Sequence, residues 1–325
     1  MIGLATTFKK RQVKQTVRLF LVVALFFISP AFLYSQDPVQ AENNSTSRDV
    51  AWVTARVEIP RVSFHRFKSE AAKAEVSYHV YTPLAYDNSD STRFPVLYWL
   101  HGTEGGTNYI RPVARMFHVA IRDNKVPPMI VVFVNGLPKH LWTDSKDGKV
   151  PVETVFIKEL IPRVDKSFRT IASREGRILE GFSMGGYGAA RIGFKHVDLF
   201  GGISILAGGP LDIDFEGPRA TGNPLREKIL NDVCNGDLKY FQETHPITIA
   251  KLQAEKLRES GVVVRQAVGS KDFSLLLNRK YHEHLESLKI PHEFHIVEGV
   301  GHDTPGLMAG LSSGEFYRKA LKQKP

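Results

Sequence analysis

Residues 181–186 read Gly181-Phe182-Ser183-Met184-Gly185-Gly186, a G-x-S-x-G pentapeptide extended by one glycine. The apolar run Arg177-Ile178-Leu179-Glu180 leads into it, and the small-residue run Tyr187-Gly188-Ala189-Ala190-Arg191-Ile192 follows. The first pattern predicts a strand and the second a helix. Ser183 then falls on a sharp strand-to-helix turn with its hydroxyl pushed into the open. Glycine is needed at the flanks because a Cβ there would strike the neighbouring strand and helix. The helix after the turn aims free N–H groups and the positive end of its dipole back at the serine. That setting suits a nucleophile whose reaction develops an oxyanion. Taken alone the pentapeptide is weakly specific, because glycine and serine are both abundant. Its weight comes from the residues around it.

Strand-like apolar runs occur at 74–81, 95–100, 129–135, 177–182, 202–206, 262–268 and 293–297. Helical patterns lie between them, at about 109–123, 152–168, 185–196, 246–260 and 273–288, with a last one near 314–323. Short continuous apolar runs are the pattern of parallel strands buried on both faces. Their alternation with helices predicts an α/β fold built on a mostly parallel, doubly wound sheet with helices on both faces. The segment 74–81 (AEVSYHVY) alternates instead and is expected to pair antiparallel at the early edge of the sheet.

In such sheets the chemistry gathers in loops at the carboxyl ends of strands. Ser183 ends one strand, Asp272 follows the run 262–268, and His302 follows the run 293–297. The order Ser…Asp…His is the one expected for a catalytic triad on this kind of sheet. Each acid–base candidate also has a plainer role. Asp272 could cap the helix that begins at Phe273, and His302 could be an ordinary loop histidine. Asp303 is a weaker candidate for the acid, since a residue adjacent to the base rarely fits the geometry. An oxyanion hole needs two backbone N–H donors. Met184, directly after the nucleophile, and Thr103, in the loop Leu100-His101-Gly102-Thr103-Glu104-Gly105-Gly106, are the candidates. His101 and Trp142 are candidate substrate-binding residues, with core packing as the alternative for each. The segment 207–245 is expected to form a cap over the site.

The chain has 325 residues, 42% of them hydrophobic and 24% charged, which is enough to bury a large core. Residues 1–18 carry Lys9, Lys10, Arg11, Lys14 and Arg18 without an acid, and the uncharged stretch LFLVVALFFISPAFL follows. That combination predicts a secretory signal peptide over 1–36, with an uncleaved membrane anchor as the alternative. Residues 37–52 are expected to form a flexible linker and residues 53–325 a single domain. Loss of 1–36, with five cations and no anion, would lower the net charge from +9 to +4. No basic stripe with interleaved aromatics remains, so nucleic acid is not an expected partner. Cys234 is the only cysteine, which rules out an internal disulfide and leaves stability to the core. His282 and His284, two apart in a helical segment, point to different faces. No metal or other cofactor is expected.

Together these residues resemble the esterase D (“putative esterase”) family of α/β-hydrolases. That group includes feruloyl esterases, S-formylglutathione hydrolases, enterochelin-type esterases and the mycolyltransferases of the antigen 85 group. The resemblance runs from about Val57 onward. It is carried by Ser77-Tyr78-His79-Val80-Tyr81, Pro95-Val96-Leu97-Tyr98-Trp99-Leu100-His101-Gly102, Glu159-Leu160-Ile161-Pro162, Phe168-Arg169-Thr170, the run 181–188 and Gly301-His302-Asp303. It implies the α/β-hydrolase fold, triad positions for Ser183, Asp272 and His302, and oxyanion positions for Thr103 and Met184. It also implies a serine esterase acting on a small-molecule or carbohydrate-linked acyl ester, feruloyl or acetyl for example. Acyl transfer by the same triad, or a non-catalytic cell-envelope binding role, are the alternatives. The export signal sets the chain apart from cytosolic S-formylglutathione hydrolases.

Overall fold

The computed structural model describes residues 50–210, 212–311 and 313–322. The expected signal peptide (1–36) and residues 37–49 of the expected linker lie outside the described residues. Val50 and Trp52 do not behave as linker. Trp52 is 5% exposed, and its carbonyl accepts hydrogen bonds from the Ser77 N–H and the Asn135 side-chain amide. The domain therefore begins a few residues earlier than expected.

In chain order the elements are β1 (Val62–Ser69), β2 (Ala74–Tyr81), β3 (Val96–Leu100), α1 (Ile110–Arg122) and β4 (Ile130–Val134). A helix over 152–167 follows, made of α2 (Val152–Thr154), a π-helical segment (Val155–Leu160) and α3 (Ile161–Ser167). Then come β5 (Arg177–Phe182), α4 (Met184–Lys195), β6 (Gly202–Leu206), α5 (Pro224–Cys234), α6 (Leu238–Thr244), α7 (Pro246–Leu252) and α8 (Ala254–Ser260). The chain closes with β7 (Val263–Gly269), α9 (Leu275–Ser287), β8 (Glu293–Val297), α10 (Thr304–Gly310) and α11 (Ser313–Ala320).

The eight strands form one sheet in the order β1-β2-β4-β3-β5-β6-β7-β8. β3 to β8 run parallel, whereas β1–β2 and β2–β4 pair antiparallel. Alternate residues of a strand point to opposite faces, and here both faces are covered. Val96, Tyr98 and Leu100 of β3 belong to a core shared with 152–167, α4 and α7 to α9, while Leu97 and Trp99 belong to a second core shared with α1, α10 and α11. That two-sided burial is why the parallel strands read as continuous apolar runs.

The early edge differs from the expectation. β1, with the residues VSFHRFKS and a mixed exposed and half-buried pattern, is the edge strand, and β2 lies inside it. Residues 76–81 are consequently all buried, despite the alternating look of their sequence. Between β6 and α7, the expected cap segment contains α5 and α6. Asn223 and Asp237 cap their N-termini, each side chain accepting two backbone N–H bonds.

Candidate active site

Ser183 stands between β5 and α4 at φ 58° and ψ −120°. A non-glycine residue held at positive φ costs about 1–3 kcal/mol. Here the surroundings enforce it. The Ser183 N–H donates to the Leu206 carbonyl at 2.9 Å, and the turn is clamped by two glycines that admit no side chain. A Cβ on Gly181 would lie 2.2 Å from the Gly185 carbonyl oxygen, and one on Gly185 would lie 1.9 Å from the Leu100 carbonyl oxygen. The G-x-S-x-G spacing thus answers a close-packing demand between β5, α4 and the end of β3.

Parallel strands put the loops after β3, β5, β7 and β8 on one rim of the sheet. The β7 and β8 loops are stitched together: Ser270 N–H donates to the Val297 carbonyl, Lys271 N–H to the Val300 carbonyl and Gly299 N–H to Ser270 Oγ. The stitching brings His302 over both partners. Its Nε2 is 2.9 Å from Ser183 Oγ, and its Nδ1 is 2.8 Å from Asp272 Oδ2.

The Asp272 carboxylate has no exposed surface, whereas the His302 side chain is 21% exposed. Burial alone would raise the Asp272 pKa, but hydrogen bonds from His302 and Ser274 outweigh it and hold the carboxyl below its ordinary range. As an ionised acceptor it favours the proton on Nδ1, leaving Nε2 to accept from the serine hydroxyl. Asp272 also does cap-like work, since its Oδ1 accepts from Ser274 N–H and Oγ, both at 2.7 Å, while Oδ2 serves the imidazole. Asp303, the weaker acid candidate, instead caps α10, accepting the Gly306 N–H at 2.7 Å.

The rings of Phe182 and Phe273 flank His302, with centroids 4.7 and 4.4 Å away. Thr103, Leu141, Met184, Tyr187 and Ala207 share a small pocket with Ser183 and His302. The β3 loop lies directly on the serine, for a Cβ on Gly102 would stand 3.4 Å from Ser183 Cβ. Among the described residues, neither the Thr103 nor the Met184 backbone N–H donates to an acceptor of the chain. A larger cavity of about 860 Å³ lies between α1, α10 and α11. Neither Ser183 nor His302 is in its wall, so the smaller pocket is the candidate site.

His101 and Trp142 do not line that pocket, which corrects the expectation that they bind substrate. Trp142 is fully buried, with its ring filling the space left by Gly136 and Gly188, where a Cβ would come within 2.2 and 2.4 Å of it. Its indole N–H donates to the His101 carbonyl at 3.2 Å. His101 is equally enclosed. Its Nδ1–H donates to the Gly102 carbonyl at 2.7 Å, Nε2 accepts the Gly136 N–H at 3.0 Å, and burial lowers its pKa to about 4. A neutral, twice hydrogen-bonded imidazole, tilted at 53° and 4.8 Å from an indole, is a wedge behind the β3 loop. Arg191 secures the wedge, donating to the Trp142 carbonyl, the Thr244 carbonyl and the buried Glu153 carboxylate.

Cys234 is buried, and burial pushes its thiol up to about 12. An inert thiol fits a bystander. His282 and His284 take different partners, the first meeting His292 and the second the Ile247 carbonyl. Two pocket residues belong to no sequence motif, Arg219 and Arg226 from the segment 207–245.

A mostly parallel sheet with a serine at the turn after its central strand defines an α/β-hydrolase. Solved structures agree on the fold. A ferulic acid esterase superposes with a TM-score of 0.66 at 22% identity, covering 79% of this chain and 98% of that one. An S-formylglutathione hydrolase from Agrobacterium tumefaciens gives 0.63 at 16% identity, over 81% and 95%. The family model described as “Putative esterase” matches residues 69–305, and the chain belongs to that esterase family. Among curated relatives, Esterase Rv1288 of Mycobacterium tuberculosis is 33% identical over 46% of this chain and 32% of its own length. An endo-1,4-beta-xylanase/feruloyl esterase of Xylanibacter ruminicola is 34% identical over 44% and 21%. The chain thus spans a third or less of these relatives. An acetyl esterase of Caldicellulosiruptor saccharolyticus is 28% identical over 66% of this chain and 79% of its own length.

Proposed function

We propose that this chain hydrolyses a carboxylic ester through an acyl-serine intermediate. The observation that carries the reading is the continuous relay from Ser183 Oγ through His302 to Asp272, with both contacts under 3.0 Å. In this mechanism His302 Nε2 takes the hydroxyl proton as Ser183 Oγ attacks the carbonyl carbon. The oxyanion forms against the Thr103 and Met184 N–H groups, where loss of one donor typically costs about 10²–10³ in rate. Asp272 holds the imidazole tautomer and stabilises the imidazolium. The imidazolium then returns the proton to the leaving alcohol as the C–O bond breaks. Water repeats the sequence on the acyl-enzyme, releasing the acid and restoring Ser183.

The substrate class we favour is a small or carbohydrate-linked acyl ester. Support comes from the feruloyl esterase and acetyl esterase named among the relatives. We also propose export, on the strength of the cations and apolar stretch in residues 9–33. N-terminal sequencing of the mature protein tests this, and a chain still beginning at Met1 would contradict cleavage. A panel of acetyl, butyryl, feruloyl and thioester substrates tests the reaction and ranks the acyl group. Wild-type turnover with none in the Ser183→Ala variant is expected; near-wild-type rates in that variant would remove the mechanism.

A further inference from the structure

Among the described residues, the buried arginines are matched to carboxylates. Arg177 meets Asp165 at 2.6 Å, Arg191 meets Glu153 at 2.5 Å, and Arg265 meets Glu180 at 2.7 Å. Arg219 and Arg226 have no carboxylate partner and no side-chain hydrogen bond among the described residues. Both come from the cap segment, both are partly buried, and both line the pocket that holds Ser183 and His302. The Arg219 guanidinium lies 4.8 Å over the Phe273 ring, which itself packs on His302. Its Nη1 is buried, with no hydrogen-bond acceptor among the described residues.

The acids nearest in effect are already engaged. Asp272 gives one oxygen to His302 and the other to Ser274, and Asp212 pairs with Lys280 at 3.3 Å. Burial disfavours the charge on both arginines, and Arg219 adds to the strain on Arg226. Two half-buried cations side by side without a carboxylate partner favour an anion that completes the site. A guanidinium is the donor best shaped for carboxylate or phosphate.

We infer that Arg219 and Arg226 form an anion subsite beside the scissile ester, so that the preferred substrate carries a carboxylate or phosphate. This rests on the esterase reading above and narrows it. The subsite lies in the pocket wall supplied by the cap, so it selects substrate without joining the proton relay.

Matched ester pairs test it. One pair is ethyl hydrogen succinate against ethyl pentanoate, with the anion on the acyl side. The other is acetylglycerol phosphate against acetylglycerol, with the anion on the alcohol side. For the favoured pair, the ratio of kcat/KM for anionic over neutral ester should be about 10–100 in the wild type. It should fall toward one in Arg219→Gln and Arg226→Gln and recover in part in Arg226→Lys. The pair showing the larger ratio identifies the side of the substrate that carries the anion. Ratios near one in both pairs, or ratios unchanged by the glutamine variants, would overturn the subsite while leaving the esterase reading intact.

Absence of turnover for all four esters, with no fluorophosphonate labelling of Ser183, would instead remove the esterase reading. Calorimetric binding of the same four compounds to the Ser183→Ala variant still decides the arginines in that case. Tighter binding of the anionic member of a pair supports the subsite, and equal binding overturns it.

Discussion

The two walls of the pocket are built on opposite principles. The wall that carries Ser183 is made of strand ends packed so tightly that Gly181, Gly185 and Gly188 have backbone or the Trp142 ring within 2.4 Å of where a Cβ would stand. The wall contributed by 212–226 is looser: a Cβ on Gly217 would come no nearer than 3.6 Å to its neighbours, and one on Gly222 would meet nothing within 4 Å. The first wall holds groups whose proposed chemistry tolerates little displacement. The second presents side chains that touch substrate without having to align a proton transfer. Close packing secures geometry, and a loosely packed excursion from the same sheet is where selectivity can vary at small cost to the fold.

The largest break in that contrast should come from the relay. Ser183→Ala is expected to lower kcat on an activated ester by about 10⁴–10⁶-fold, measured alongside loss of fluorophosphonate labelling. Asp272→Asn should cost about 10⁴, because the amide no longer enforces the imidazole tautomer. A loss below tenfold would move the acid elsewhere.

The packing contrast predicts stability effects. Gly188→Ala drives a methyl into the Trp142 ring, whereas the Cβ of Gly222→Ala would enter open space at φ +71°. Denaturant midpoints should report about 1–3 kcal/mol lost for the first, from overpacking, and up to about 1 kcal/mol for the second, from backbone strain alone. Equal losses would deny that the two walls differ.

Acid should also separate the regions. Burial opposes ionisation of Glu153, but His196, Arg191 and Lys195 outweigh it and hold the carboxyl well below the carboxylate range. Asp272 is depressed as well. Groups with depressed folded pKa values contribute stability that is fully present above the unfolded carboxylate pKa, roughly 4. It is lost as pH falls from there through the folded values. The unfolding free energy should therefore fall below about pH 4, and Glu153→Gln, though less stable at neutral pH, should show a shallower fall. The smallest effect expected is from EDTA, which should leave esterase activity unchanged.

Much of this was legible residue by residue. The expected strands at 177–182 and 202–206 coincide with β5 and β6, because full burial leaves short apolar runs between turn residues, and the run 293–297 coincides with the half-exposed edge strand β8. β1 escaped notice because an edge strand keeps Arg66 and Lys68 toward solvent and shows no apolar run. α5 and α6 carry a weak apolar face, yet Asn223-Pro224 and Asp237 are start signals of the ordinary kind and would have located them. Asp303 with Pro305 marks the start of α10 in the same way.

The turn at Ser183 and the order of Ser183, Asp272 and His302 were determined by the sequence itself. Glycine spacing answers local steric demands, and those are written one position at a time. Which carboxylate meets the imidazole, and on which side of the β3 loop His101 and Trp142 fall, depended on how the β7 and β8 loops cross the rim. Only the tertiary structure decided that, and only it brought two motif-free arginines to face the serine. Contacts between residues so far apart along the chain follow from strand order and register, which no local pattern encodes.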